Sequence, residues 1–217
     1  MTVWVIIPVK PLKLAKSRLA TVITPEQRQE FAQSLLRHTL EVVQSVPQVA
    51  GTLVISRDTK ALAIARDFKA YTVMESGAPE LNAALMRATQ VVAGWHAEAV
   101  LVLPSDLPLL TSEDVSAIIQ LGKDDRSMVI ATDQHEDGTN AMMSRPPGLF
   151  TYAYGPGSYR RHIELAKQAG AAIKFYHSER LLLDVDLPED LEKYIQMTSG
   201  SSGKIEVFKP LLPDNAS

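Results

Sequence analysis

The chain contains no cysteine. Disulfides, thiolate nucleophiles and cysteine-based zinc sites are therefore excluded, and the composition fits a reducing, cytoplasmic setting. No apolar run approaches the ~20 residues that a membrane-spanning helix needs. The opening MTVWVIIPVK lacks the basic segment, long apolar stretch and small-residue cleavage site of a secretory signal. The expectation is a protein that engages no membrane. A formal net charge of −3 gives no general attraction to nucleic acid, so anionic ligands must be met by a local concentration of cations. There is no G-x-x-x-x-G-K-[ST] phosphate loop and no G-x-G-x-x-G after a strand. The five histidines, His38, His96, His135, His162 and His177, show no metal spacing. Of these, His38 and His96 read as surface or helix-end residues. No nucleophile–base–acid order stands out, which leaves little support for covalent hydrolysis.

What is present is an ordinary globular composition, 46% hydrophobic and 22% charged over 217 residues, enough for one domain with its own core. Val3 to Val9 reads as a buried strand. Thr24-Pro25-Glu26-Gln27 announces a helix by a capping box with proline in the first turn, and Phe31, Leu35, Thr39, Val42 and Val46 follow at helical spacing. Strands at 52–56, 71–75, 99–103 and 127–132 then alternate with helices at 59–68, about 80–95 and from Thr111. Near-continuous apolar strands alternating with helices predict an α/β fold, a mostly parallel sheet covered on both faces. After residue 133 the pattern becomes irregular. The segment QHEDGTN-AMMSRPPGLF reads as elaboration over one edge of the sheet. A helix over 158–169, strands at 172–176 and 181–183, and a helix over 188–197 follow. Residues 1–197 read as a single domain and 198–217 as a Gly/Ser linker and tail.

Candidate chemistry falls where a parallel sheet places its ligands, beyond the carboxyl ends of the strands. The loop VKPLKLAKSRL carries Lys10, Lys13, Lys16 and Arg18 with no acid; it suits a triphosphate and a departing pyrophosphate, or is a solvated basic loop. In LPSDLPLL, Ser105 and Asp106 leave the central strand between prolines. Asp106 is a magnesium ligand or the cap of a turn. In LLLDVDLPEDL, Asp184 and Asp186 are expected to need a turn before both face one metal, one otherwise supporting the loop. The bland role for Asp186 is an N-cap, and for Glu189 and Asp190 a dipole-compensating first turn. GTN at 138–140 and YGPGS at 154–158 offer Thr139, the permissive Gly155 and Gly157, and Ser158 at a helix start, where free N–H groups favour an anion; the alternative is a glycine turn. Arg160 and Arg161 add charge there or lie exposed. A phosphate nucleophile is already ionised, so alignment and charge neutralisation suffice.

Taken in order, PVKPLKLAKSRL, SDLPLL, GTNA, GPGS and DVDLPEDL resemble the phosphoenolpyruvate or 2-phospho-L-lactate guanylyltransferases of coenzyme F420 biosynthesis, over roughly residues 3–197. The resemblance implies a nucleotide-diphospho-sugar transferase-like three-layer sandwich. It implies that the acceptor phosphate attacks the α-phosphorus of GTP while Mg2+ assists pyrophosphate departure. Thr139, Gly155 and Ser158 would hold the acceptor, and Asp106 with Asp186 and Asp184 the metal. Lys10, Lys16 and Arg18 would face the nucleotide phosphates, with Ser105 beside them. Glu80 and Asn82, in PELNAAL, would lie near base or ribose. The partners implied are GTP and a small phosphorylated carboxylic acid; a homodimer is compatible with the sequence. Kept open are another acceptor (3-phospho-D-glycerate, a sugar phosphate or a molybdopterin), another nucleotide such as CTP, and a non-catalytic nucleotide-binding module.

Overall fold

A computed structural model describes residues 1–76 and 80–198. The expected linker and tail from 199 onward lie outside the described residues. The strands are β1 (Val3–Val9), β2 (Val49–Ser56), β3 (Tyr71–Met74), β4 (Ala99–Val102), β5 (Ser127–Thr132), β6 (Thr139–Arg145) and β7 (Ala172–Phe175). The helices are α1 (Pro25–Gln44), α2 (Thr59–Asp67), α3 (Leu81–Gly94), α4 (Ser112–Leu121), α5 (Ser158–Gln168), α6 (Glu179–Leu182) and α7 (Pro188–Thr198). None of the described helices is long and apolar enough to cross a membrane.

The strands form one seven-stranded sheet in the order β3-β2-β1-β4-β6-β5-β7. All pairings are parallel except the two made by β6. Here the expectation of irregular elaboration is corrected: AMMSR is a strand inside the sheet, between β4 and β5. Local pattern hides it, because both faces are covered and its polar residues Thr139, Asn140 and Ser144 are buried. Since β6 runs backwards, its first residue lies at the carboxyl edge of the parallel strands, with Thr139 opposite Thr132.

One face of the sheet packs Val3, Val5, Ile7 and Leu101 against α1, α2 and α4; the other packs Ile6, Leu53, Val100 and Val102 against α3 and α5. Complete burial of such a side chain contributes about 1.5–3 kcal/mol, so β4, buried throughout, and β1, buried except at Pro8, anchor the fold. The capping box at α1 is as the sequence predicts: Gln27 N–H donates to Thr24 Oγ1 at 3.2 Å and Thr24 N–H to Gln27 Oε1 at 2.9 Å. The buried face of α1 centres on Leu36, Leu40 and Val43, which leaves Val42 only partly covered. His38 is not at a helix end. It sits within α1 with Nε2 3.0 Å from the Leu110 carbonyl, and burial lowers its pKa. The strand expected at 181–183 is corrected: Leu181 and Leu182 end the short helix α6, and Leu183 follows it with extended backbone; the LLL run has no periodicity to decide between the two.

A third cluster joins Leu19, Phe31, Leu35, Leu183, Val185, Leu191 and Tyr194. It binds three segments distant in sequence: the basic loop, α1 and the approach to α7. That packing brings the candidate residues together.

Candidate active site

Two short 3-10 turns, Leu12–Leu14 and Ser17–Thr21, shape the basic loop after β1. Leu12 and Leu19 are its apolar anchors, 1% and 0% exposed. Between the turns Lys16 adopts a left-handed conformation, φ 53°, a region that costs a non-glycine residue energy unless its surroundings impose it. The result is that Lys16 turns inward while Lys10, Lys13 and Arg18 stay exposed. Its ammonium lies 2.9 Å from Asp186 Oδ1 and 3.5 Å from Asp106 Oδ2.

The two aspartates reach it from different directions. Asp106 leaves β4 on a loop pinned by buried Leu103, Leu107 and Leu110. Asp186 comes from the segment before α7, where Leu183 and Val185 enter the third core cluster. A turn is present between Asp184 and Asp186, with Asp186 N–H donating to the Asp184 carbonyl at 3.1 Å, while Leu183 and Val185 are buried in the third core cluster. Val185 N–H donates to the Asp106 carbonyl at 3.4 Å, and the Asp190 carboxylate accepts from Asp186 N–H (3.1 Å) and Leu187 N–H (2.8 Å). Asp190 thus secures the loop as well as occupying the first turn of α7.

The electrostatics follow from this crowding. Burial alone would lower the Lys16 pKa, but the charges of Asp106 and Asp186 outweigh it and raise it. Burial pushes Asp186 up, yet Lys16, with Lys10 and Arg18 behind it, brings it below its ordinary value. At Asp184 burial and the charges of Asp106 and Asp186 outweigh the opposing charge of Lys16 and raise its pKa to about 6.

The second group lies at the start of β6 and α5. Thr139 Oγ1 is 3.0 Å from Ser158 Oγ and 3.0 Å from His162 Nδ1. His162, wholly buried, is the residue that sequence reasoning missed; its signal was the four-residue spacing from Ser158, which puts both on one helix face. Gly155 and Gly157 take φ of 125° and 71°, conformations open to glycine. The first N–H groups of α5 are already bonded: Gly157 N–H to both oxygens of Asp137 at 3.0 Å, Ser158 N–H to the Gly155 carbonyl, and Tyr159 N–H to the Asp137 carbonyl. The anion at this helix start is Asp137, and the Thr139 and Ser158 hydroxyls face each other beside it. Arg160 is exposed, whereas Arg161 donates twice to the Ala153 carbonyl.

Glu80 and Asn82 both make bonds within the chain. The Glu80 carboxylate caps α3, accepting from Asn82 N–H and Ala83 N–H. The Asn82 amide pairs with the Tyr154 backbone, accepting at 2.7 Å and donating at 3.3 Å. Ser105 is half-buried beside Asp106. The two groups are coupled through Asn140, the neighbour of Thr139, whose amide donates to the Leu181 carbonyl at 2.8 Å on the approach to Asp184.

Residues 3–209 match the family model described as guanylyl transferase CofC like. The chain belongs to that family. Among relatives of the CofC-like chain, the phosphoenolpyruvate guanylyltransferase of Rubrobacter xylanophilus is 34% identical over 89% of this chain and 93% of its own. That of Sphaerobacter thermophilus is 32% identical over 89% and 92%. The CofC-like protein is therefore a nucleotidyl-transferring enzyme. Solved structures agree on the fold. A Desulfovibrio desulfuricans G20 protein assigned to the nucleotide-diphospho-sugar transferases superposes with a TM-score of 0.76 at 16% identity, covering 93% of this chain and 90% of its own. The 4-diphosphocytidyl-2C-methyl-D-erythritol synthase of Anaerococcus prevotii gives 0.61 at 13%, covering 90% and 96%.

Proposed function

We propose that this enzyme moves GMP from GTP to phosphoenolpyruvate, with 2-phospho-L-lactate as the alternative acceptor, in a step of coenzyme F420 biosynthesis. The observation that carries the reading is the inward Lys16, its ammonium shared by Asp106 and Asp186 at the carboxyl edge of the sheet, with Lys10 and Arg18 outside. An oxygen of the acceptor phosphate forms the new bond to the α-phosphorus of GTP. The bond from that phosphorus to the β-phosphate bridging oxygen breaks, and pyrophosphate leaves with the electron pair. The acceptor oxygen is already ionised, so the protein needs no base; it aligns the reactants and neutralises charge.

In this reading Lys10 and Arg18 meet the outer phosphates, Lys16 is a fixed cation that needs no reorganisation, and Thr139, Gly155 and Ser158 receive the acceptor. Among the described residues no group of three carboxylates or histidines closes into a metal cage. Magnesium does not require one: it commonly takes one or two carboxylates and completes its shell with water and phosphate oxygens. Asp106 and Asp186, two carboxylates already facing one cation, fit that ion, with Asp184 beside them. When bound, magnesium supplies charge neutralisation on the triphosphate.

Pyrophosphate release tests this, with GTP or CTP in magnesium buffer and phosphoenolpyruvate, 2-phospho-L-lactate or 3-phospho-D-glycerate offered separately. Turnover with GTP and one of the first two acceptors, giving a product of the mass of the guanylylated acid, is the expected result. A preference for CTP, or turnover only with another acceptor, overturns it.

A further inference from the structure

His162 lies between a backbone donor and a hydroxyl pair. The Ala153 N–H points at Nε2 at 2.9 Å, so Nε2 must carry a lone pair. In a neutral ring the proton is then on Nδ1, the nitrogen 3.0 Å from Thr139 Oγ1. Thr139 accepts from the ring. Its hydroxyl and that of Ser158, 3.0 Å apart, hold two protons between them; one is used in their mutual bond and one is left over. With the proton on Nε2 instead, Thr139 would donate to the ring, Ser158 would donate to Thr139, and only lone pairs would face an incoming anion.

We infer that His162 is a positioning residue whose Nδ1–H tautomer, set by the Ala153 backbone, makes the Thr139–Ser158 pair present one O–H donor to the anionic acceptor. The inference rests on the acceptor-site reading above. The Ala153–Tyr154 backbone is itself held: Arg161 donates to the Ala153 carbonyl, and Asn82 binds both polar groups of Tyr154. The ring also meets the Tyr154 ring edge-on, centroids 4.8 Å apart. An imidazolium is disfavoured here because a second N–H would face the Ala153 N–H, and burial, with the Arg161 charge, lowers the ring's pKa to about 4.

Long-range proton–nitrogen correlation spectra of the 15N-histidine-labelled wild-type protein read the tautomer directly, the His162 signals being those lost in His162→Leu. The expected result is a neutral ring protonated on Nδ1, unchanged from pH 6 to 8. A ring protonated on Nε2, or an imidazolium at pH 7, overturns the inference. In kinetics, His162→Leu should raise KM for the acceptor roughly tenfold or more, since a hydrogen bond to a charged group is at stake, with KM for GTP within about twofold. Equal rises in both KM values would mark a merely structural role and contradict the proposal. Ser158→Ala separates the two readings. If it leaves acceptor KM unchanged while the tautomer is as expected, the acceptor site is what fails.

Discussion

The carboxylate of Asp58 holds the amide of Leu12, 46 residues away, at 2.8 Å. With its other oxygen the same side chain caps α2, accepting from Lys60 N–H at 2.8 Å and Ala61 N–H at 3.4 Å. A single side chain just past β2 therefore fixes the path of the basic loop after β1, and with it the inward course of Lys16.

Asp58→Asn keeps an oxygen for the cap but replaces the acceptor facing Leu12 by an amide. It should raise KM for GTP several-fold while costing about 1 kcal/mol or less in urea unfolding. Asp58→Ala loses the cap as well and should cost about 1 kcal/mol more. Equal KM values for GTP in wild type and Asp58→Asn would show that the latch does not position the loop.

Lys16→Met keeps most of the buried stem and deletes the charge. Loss of a fixed cation aimed at the reacting phosphates should lower kcat/KM by roughly 10²–10³, while thermal unfolding shifts by only a few degrees, because Asp106 and Asp186 retain 31% and 41% exposure and can be hydrated. A variant within tenfold of wild type would remove Lys16 from the chemistry.

Asn82 separates two roles by its kinetic pattern. The structure commits its amide to Tyr154, so Asn82→Ala should loosen the 153–157 turn and raise acceptor KM more than GTP KM, with a stability loss of about 1–3 kcal/mol. A selective loss of GTP affinity would instead support the nucleotide role expected from sequence.

Asp114, with no exposed surface, accepts from Arg180 twice at 2.8 Å, from Tyr176 and from Ser178. Burial opposes its ionisation, but these bonds prevail and bring its pKa from 3.8 down to about 2. A depressed carboxylate pKa contributes stability above the unfolded value that is lost as pH falls through the folded one. The contribution, about 2 kcal/mol, should therefore disappear between pH 4 and 2. Urea unfolding of wild type and Asp114→Asn should differ most at pH 5 and converge towards pH 2. A constant difference would mean that the ionised form is not what the network stabilises.

Legibility in the sequence divides along physical lines. Local signals were sufficient where local forces decide: the Thr24 box, the helix starts at Thr111 and Ser158, and the parallel strands, whose apolar runs need no partner to be seen. They failed for β6, because a strand covered on both faces and carrying satisfied polar residues shows no alternation. They also failed for His162, whose role exists only once α5 lies against the turn at Ala153. The motif residues themselves could be named, yet the contact between Lys16 and the aspartates depends on Leu19, Leu183 and Val185 meeting in one cluster, a long-range event.

The most direct test of guanylyl transfer by phosphate attack is isotopic. The acceptor is phosphoenolpyruvate carrying 18O in its non-bridging phosphate oxygens, and the product is read by 31P NMR. The account predicts an 18O-induced shift on both phosphorus atoms of the new linkage, because the attacking oxygen becomes the bridge, with unlabelled pyrophosphate released. A product whose guanosine-bound phosphorus is unshifted would contradict it, since some other atom would then have attacked.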